Sequence, residues 1–136
     1  MFPFAHRTQA TAIGGRNSAV ASVDGSLKVQ LREQDGAGGS GTTAEQLLAS
    51  ALAASFLQGL KATAAATGQV LASDANVTVT VGLDCETEVP VFSAHFDVDL
   101  PGLDRTRALA LAETARKACP YAHLLPGHFV AQVSVL

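Results

Sequence analysis

One stretch of the sequence decides the fold: residues 43–60 read TAEQLLASALAASFLQGL. Thr42 and Glu45 have the spacing of a capping box, in which two side chains satisfy the first free N–H groups of a helix. Thr43 and Gln46 have the same spacing. A helix is therefore predicted to begin here.

This helix is predicted to extend to about Thr67 and to end at Gly68, because glycine is favoured just beyond a helix C-terminus. From Gln46 to Leu60 it carries no charge and is apolar on nearly every side. Such a pattern is typical of a buried helix rather than an amphipathic surface helix. The rest of the chain is expected to fold around it.

Alternating apolar residues predict strands before and after this helix. The predicted strands cover residues 6–13, 18–23, 26–32, 76–84, 89–100 and 128–135. The second and third are joined by Asp24-Gly25, which favours a tight hairpin. The alternation changes phase near Phe92, which predicts a bulge there.

A second helix is predicted over residues 103–118, with Asp104 in its first turn and Arg116 and Lys117 in its last, as the helix dipole favours. The element order is then β-β-β-α-β-β-α-β, connected mostly by antiparallel hairpins rather than by βαβ units. This order predicts an α+β fold in which antiparallel sheets surround a long buried central helix.

Length and charge narrow the possible partners. A chain of 136 residues suits one domain, residues 1–136. Its net charge is -3 and it has no basic cluster, which argues against nucleic acid and anionic membranes as partners.

The longest apolar stretch, Leu47 to Leu60, is shorter than the roughly 20 residues that span a bilayer. With no secretory pattern at the start, we expect a cytoplasmic protein.

Two apparent ligand motifs are weak. Residues 36–41 read GAGGSG and match a dinucleotide-binding pattern, but no acidic residue follows about 20 residues later, as that site requires. A lid or crossover loop is the simpler interpretation. The histidines at 6, 95, 123 and 128 are scattered and lack the spacing of a zinc site. We therefore expect no metal and no bound cofactor.

The two cysteines, Cys85 and Cys119, do not form a disulfide framework. Cys119 follows a predicted helix C-terminus, whereas helix N-termini are the ends that activate thiols. Cys85 lies beside Asp84 and Glu86, which do not favour a thiolate, so no role is assigned to it.

Several segments together resemble the organic hydroperoxide resistance (Ohr) branch of the Ohr/OsmC family of thiol peroxidases. They are TAIGGR at 11–16, GGSGT at 38–42, EQLLASALAASF at 45–56, PGLD at 101–104 and ACPY at 118–121. Their order and spacing cover nearly the whole chain. The resemblance implies an OsmC-like fold and an intertwined homodimer with the central helices at its heart.

The resemblance also implies the site. In the family, a peroxidatic cysteine on the central helix attacks the O–O bond of an organic hydroperoxide, and a resolving cysteine then closes a disulfide. An arginine and a glutamate hold the first thiol as thiolate, and a lipoylated protein or another dithiol is the reductant. In this chain, the resemblance assigns the arginine to Arg16, the glutamate to Glu45 and the resolving cysteine to Cys119. The peroxidatic position is Ser55.

Ser55 changes the expected activity. A serine hydroxyl is not ionised near neutral pH and cannot form a sulfenic acid or a disulfide. The chain is therefore predicted to have no two-cysteine peroxidase turnover, which leaves its status as an enzyme open. Either the serine is an engineered Cys→Ser replacement, or the chain is a natural paralogue that has lost or changed the activity.

Two other functions stay open for this chain. One is a non-enzymatic binder of small apolar or lipid-like ligands, with Phe56 and the apolar helix lining the pocket. The other is a serine hydrolase, although Ser55 lies mid-helix and outside a GxSxG motif. A serine in mid-helix more often bonds back to a carbonyl.

The spacing of Glu45 and Ser55 limits how they cooperate. Ten residues along one helix correspond to about 15 Å, and to roughly 80° around the axis. The two side chains therefore do not share a small site directly. Either Arg16 bridges them or Glu45 serves the pocket of a partner subunit, and a site shared across an interface is favoured.

Overall fold

The computed structural model describes five stretches of the chain, residues 7–14, 18–32, 40–86, 88–123 and 129–136. They belong to two compact units: the first ends at Ala44 and the second begins at Glu45. Two helices and two sheets confirm the α+β class. The single domain over residues 1–136 stays a prediction.

The first unit contains a three-stranded antiparallel sheet. Its strands lie in the order β1-β2-β3 and are β1 (Ala10–Ile13), β2 (Ala19–Ser22) and β3 (Lys28–Gln30). All three predicted strands are confirmed with shorter bounds. Ala10 pairs with Ser22, and Ala19 pairs with both Ile13 and Gln30.

Asp24 shapes the turn between β2 and β3. Its Oδ1 accepts hydrogen bonds from the hydroxyls of Ser22 (2.6 Å) and Ser26 (2.7 Å) and from the backbone N–H of Ser26 (3.0 Å). These bonds, with that of Ser22 the strongest cause, lower the pKa of Asp24 to about 2. Gly25 follows with φ +78°, a conformation that glycine adopts without strain. The predicted hairpin is confirmed.

This first sheet has no buried core of its own. None of the described residues between Arg7 and Thr43 is buried, and Ile13 is 65% exposed. A small sheet becomes stable only when a hydrophobic face packs against something else. The sheet therefore needs a covering surface.

The second unit contains both helices and the second sheet. Its elements are α1 (Ala44–Ala66, which begins at the division between the units), β4 (Asn76–Asp84), β5 (Val91–Asp99), α2 (Arg105–Ala118), a 3-10 turn (Pro120–His123) and β6 (Phe129–Val135). The strands lie in the order β4-β5-β6. Each α-helix and strand of this unit corresponds to a predicted one, and β4 has the predicted bounds, whereas the 3-10 turn was not predicted.

Two predictions about this sheet are wrong. β4 and β5 are antiparallel, but β5 and β6 are parallel neighbours. Parallel neighbours need a crossover, and α2 provides it, so this part is a βαβ unit. The predicted bulge near Phe92 is also absent, because pairing runs without interruption from Asn76–Asp99 to Asp84–Val91. The change of phase arises because Val91 and Phe92 are half-buried on opposite faces.

The ends of both helices follow local chemistry. Thr43 immediately precedes α1, so Thr43 and Gln46 occupy the capping-box positions. At the other end, the N–H of Gly68 donates to the carbonyl of Ala65 (3.0 Å), and Gly68 has φ +76°. The predicted end at Gly68 is confirmed.

Asp104 lies one residue outside α2 rather than in its first turn, which corrects the prediction. Its Oδ1 accepts a hydrogen bond from the backbone N–H of Arg107 at 2.8 Å. A short carboxylate side chain satisfies a free helical N–H best from this capping position. Arg116 and Lys117 lie in the last turn, as predicted.

The core of the second unit forms where α1 meets the sheet and α2. One stripe of α1 is buried, at Leu52, Phe56, Leu60 and Ala64. β5 contributes Ala94, Phe96 and Val98, and α2 contributes Ala108, Leu111, Ala112 and Ala115. The rings of Phe56 and Phe96 lie 5.0 Å apart with an interplanar angle of 42°. Such tilted aromatic pairs add stability beyond the burial of their area.

The prediction that α1 is buried on nearly every side is wrong for a single chain. Ala51, Ala54, Gln58 and Ala62 are exposed. The helix is 23 residues long, so by length and composition it is also long enough to cross a membrane. The argument from the shorter apolar run therefore fails. The buried stripe shows instead that α1 serves as a core helix.

Phe56→Ala is expected to lower the free energy of unfolding by about 3–5 kcal/mol, because it leaves a cavity in the core. The matched control is Thr106→Ala, at an exposed position of α2, where a change within roughly 0.5 kcal/mol is expected. Urea unfolding at one fixed protein concentration measures both. Equal losses for the two variants would contradict this description of the core.

Candidate functional site

Ser55 lies in the middle of α1, beside the buried stripe. It is half-buried, whereas Leu52 and Phe56 are each only 2% exposed. Three residues of helix correspond to about 300°, so Ser55 lies about 60° around the axis from Leu52. Its side chain therefore borders the core without belonging to it.

The hydroxyl of Ser55 differs from the other hydroxyls of α1. Ser50 Oγ donates to the carbonyl of Gln46 at 2.8 Å, and Thr63 Oγ1 donates to the carbonyl of Gly59 at 2.8 Å. Among the residues that the structure describes, Ser55 Oγ has no hydrogen-bond partner. The expected bond back to a carbonyl is therefore absent, and the hydroxyl is available to a group outside the helix.

Cys119 caps the C-terminus of α2 and is buried. It is 7% exposed and belongs to the same core cluster as Leu52 and Phe56. Its backbone N–H donates to the carbonyl of Arg116 at 3.3 Å. The structure thus places Cys119 in the core of the second unit, to which Leu52 and Phe56 also belong. Tyr121, which sequence reasoning did not single out, packs against this cluster through the same ACPY segment.

Glu45 lies at the start of α1 and is half-buried. Because α1 continues unbroken from Ala44 to Ala66, the predicted separation of about 15 Å from Ser55 applies. The structure therefore does not bring these two residues together. Arg16 lies outside the described residues, so its bridging role stays a prediction.

The positive charge near Cys119 is already paired. Arg116 Nη2 and Nε donate to the carboxylate of Glu113 at 2.6 and 3.0 Å. This hydrogen bonding holds the pKa of Glu113 below its ordinary value and raises that of Arg116. The guanidinium of Arg116 is therefore already engaged by Glu113.

The other candidate residues do not join this site. His95 Nε2 lies 3.2 Å from Asp97 Oδ1 on the outer face of the sheet. His6, His128 and the side chain of His123 lie outside the described residues, as does most of the GAGGSG segment. Within the parts of the chain that are described, no three His, Cys, Asp or Glu residues are grouped to hold a metal ion.

Comparison with known proteins identifies the family. Residues 36–133 match the sequence pattern of the family described as "OsmC-like protein". The chain belongs to the OsmC-like family. An organic hydroperoxide resistance protein of Xanthomonas axonopodis pv. citri (strain 306) is 33% identical over 129 residues, which cover 90% of this chain and 89% of that protein. The resemblance to the Ohr branch is confirmed.

Solved structures agree with this assignment. An organic hydroperoxide resistance protein OsmC from Legionella pneumophila is 31% identical and superposes with a TM-score of 0.83, with 96% of each chain covered. A putative organic hydroperoxide resistance protein from Vibrio cholerae, with captopril bound in one of the active sites, is 32% identical with a TM-score of 0.83. The alignment covers 97% of this chain and 92% of that one.

The two cysteines of this OsmC-like chain have different surroundings. Cys85 is exposed, one residue beyond β4, whereas Cys119 is buried, and both are free thiols. Cys85 is followed by Glu86, whose N–H donates to Asp84 Oδ1 at 2.9 Å. The geometry gives Cys85 no link to Ser55.

Under native conditions we expect a thiol reagent such as Ellman's reagent to label one cysteine rapidly and the other only after denaturation. Cys85→Ser is expected to remove the fast phase, and Cys119→Ser, the matched control, to leave it unchanged. The physical reason is access, since only Cys85 is exposed. A fast phase that survives Cys85→Ser would show that Cys119 is accessible.

Proposed function

We propose that this chain is an organic hydroperoxide resistance protein, a member of an oxidative-stress defence, whose site at position 55 takes organic hydroperoxides but lacks the nucleophile for turnover. The observation that carries the proposal is the 33% identity to organic hydroperoxide resistance proteins over 90% of the chain, together with a serine at position 55, to which the resemblance assigns the peroxidatic cysteine. The half-buried hydroxyl of Ser55, which has no hydrogen-bond partner among the described residues, and the buried free thiol of Cys119 support it.

The chemistry explains why this position is decisive. A peroxidatic thiolate attacks one oxygen of the O–O bond, releases an alcohol and becomes a sulfenic acid. A second thiol then forms a disulfide and releases water, and a dithiol returns both sulfurs to thiols. A neutral serine hydroxyl cannot enter this cycle. Cys119 is only 7% exposed, so in this structure it is not accessible to a hydroperoxide in place of a thiol at position 55.

The remaining site residues keep their proposed roles. Cys119 is the resolving cysteine, and Arg16 and Glu45 are the residues that would hold a thiolate at position 55. A lipoylated protein or another dithiol is the proposed reductant, and no bound cofactor is proposed. We also propose that the protein is cytoplasmic.

A homodimer is proposed because two surfaces of the chain need cover. The exposed face of α1 includes Ala51, Ala54 and Ala62, and Lys61 is the one charged side chain among the exposed residues of this helix. The first sheet has no buried residue among those described. Apolar faces of this kind bury area when a second copy packs on them. A dimer also allows Glu45 of one subunit to serve the pocket at Ser55 of the other.

The second candidate function is that of a non-enzymatic binder of small apolar or lipid-like ligands. Ser55 favours it, because a hydroxyl in place of a thiol leaves a pocket without a reactive group. The structure corrects the predicted lining, since Phe56 is 2% exposed and belongs to the core rather than to a pocket wall.

The chain as written is expected to give no turnover of cumene or tert-butyl hydroperoxide with dihydrolipoamide, and Ser55→Cys is expected to give turnover. The reason is that only a thiol at position 55 forms a sulfenic acid. Ser50→Cys, on the same helix, is the matched control and is expected to stay inactive.

Two outcomes would contradict the proposal. One is turnover by the chain as written that disappears in Ser55→Ala. The other is a folded Ser55→Cys protein without turnover, which would favour the binding function, tested by co-purification of a lipid-like ligand.

In light scattering we expect a mass of about twice the 13.9 kDa of one chain. Ala54→Arg is expected to shift the protein towards the monomer, because it places a large charged side chain among the exposed alanines of α1. Thr106→Arg, at an exposed position of α2, is the control and should leave the mass unchanged. A monomeric starting protein would remove the shared site.

A further inference from the structure

The last strand, β6, lies at the edge of the second sheet. Among the described strands, only β5 pairs with it. An edge strand presents backbone N–H and C=O groups to which another strand can add. Residues 129–135 read FVAQVSV and contain no charge, proline or glycine. This composition is typical of strands that pair readily with copies of themselves, so the open edge of β6 is a surface that the protein has to protect.

The register of β5 and β6 shows which backbone groups point away from the sheet. Val98 is the partner of Val135 in this parallel pair, and the N–H of Leu136 donates to the carbonyl of Val98 at 2.9 Å. In a ladder of this kind, successive residues of a strand direct their backbone groups to opposite sides. The backbone groups of Ser134 therefore point towards β5, and those of Val133 and Val135 point to the open side.

Arg105 closes one of these open groups. It is the first residue of α2, and its Nη1 donates to the carbonyl oxygen of Val135 at 3.3 Å. A strand added to β6 would lie about 4.8 Å away from it. The guanidinium therefore occupies the position from which the N–H of an added strand would reach this carbonyl. Covering the charge of Arg105 with a strand would also be costly.

The part of the edge next to this contact is accessible. A cleft of about 450 Å³ lies between β6 and α2, and Leu109, Glu113, Arg116, Val133 and Val135 are among the residues that line it. Glu113 and Arg116 are engaged with each other. Within the described stretches, no hydrogen bond outside the sheet involves the backbone of Val133. The edge is thus open at Val133 and closed at Val135.

We propose that Arg105 guards the open edge of β6, and that the surface it guards fits a second copy of this chain, paired edge to edge through β6. An antiparallel pair of identical strands is related by a two-fold axis, so the same surface serves both copies. In such a pair, Val133 and Val135 meet apolar residues of the second β6. No charge within either strand opposes the pairing, which leaves this task to Arg105.

This inference goes beyond the function proposed for position 55, because it involves no chemistry at Ser55. It also concerns a different surface from those on which the homodimer is proposed, the exposed face of α1 and the first sheet. Each subunit of that homodimer carries its own β6 edge. Loss of the guard is therefore expected to join dimers into longer assemblies rather than into one closed pair.

The test is Arg105→Met, which keeps an apolar stem but removes the charge and the donor. In light scattering over a range of protein concentrations, its mass is expected to rise at least about twofold above that of the starting protein. Arg107→Met is the matched control, since Arg107 is an exposed arginine of the same helical turn and pairs with Asp104 at 3.7 Å. This control and Arg105→Lys, which keeps a charge and a donor, are expected to leave the mass unchanged.

A second substitution assigns the association to β6. Gln132 is an exposed residue of this strand, and a lysine on an edge strand opposes pairing. Adding Gln132→Lys to Arg105→Met is therefore expected to restore the starting mass. Urea unfolding of Arg105→Met at low concentration is expected to match that of Arg107→Met, which separates edge pairing from a general loss of stability.

Amide hydrogen exchange reports the pairing directly. The N–H of Val133 is expected to exchange rapidly in the starting protein, because it points to the open side, and slowly in associated Arg105→Met. This measurement on the starting protein needs no variant to fold.

An unchanged mass in Arg105→Met would overturn the proposal. So would association that persists with Gln132→Lys or leaves the N–H of Val133 in rapid exchange, since the copies would then pair elsewhere. Slow exchange of this N–H in the starting protein would overturn it as well, because the edge would already be covered. None of these results depends on turnover in Ser55→Cys.

Discussion

The packing of one stripe of α1 on β5 is the interaction on which the second unit depends. Leu52, Phe56 and Leu60 are almost fully removed from water, and the ring of Phe56 contacts that of Phe96. Each such side chain contributes roughly 1.5–3 kcal/mol when it is fully buried. Because the stripe fixes the rotation of α1, it also fixes where Ser55 lies, half-buried at the edge of the core.

That constraint leaves a long apolar helix only partly covered. A helix that carries no charge over fifteen positions is expected to be buried on every side, yet Ala51, Ala54 and Ala62 face solvent in the single chain. The first sheet presents the same difficulty, since none of its described residues is buried. These two uncovered surfaces are the physical reason for proposing a second subunit. Glu45 gives an independent reason, because it lies about 15 Å from Ser55 on the same helix and would instead serve Ser55 of a partner subunit.

Patterns among neighbouring residues predicted the helices and strands well. Features that depend on residues far apart in the sequence were not predicted. The strict alternation of β4 gave its bounds, and Gly68 gave the end of α1, because both depend on neighbouring residues. The parallel pairing of β5 with β6 depends on a partner more than thirty residues away, which alternation does not encode. The predicted bulge near Phe92 was wrong for a related reason, since an apolar residue at the end of a strand can face either side of the sheet. That Ser55 has no hydrogen-bond partner among the described residues had no sequence signal, because a mid-helix serine either bonds back to a carbonyl or points away from the helix. The bridge by Arg16 stays a prediction, since this residue lies outside the described stretches.

The contrast between Ser55 and Cys119 separates what the fold requires from what the chemistry requires. Serine and cysteine are nearly the same size, so a half-buried position beside the core accepts either without repacking. The fold therefore places no strong selection on position 55, and only a reaction that needs a thiolate would retain cysteine there. Cys119 is different, because it is buried and belongs to the core cluster of the second unit. Its presence is explained by packing as well as by a resolving role, so a retained Cys119 is weaker evidence for activity than the residue at position 55.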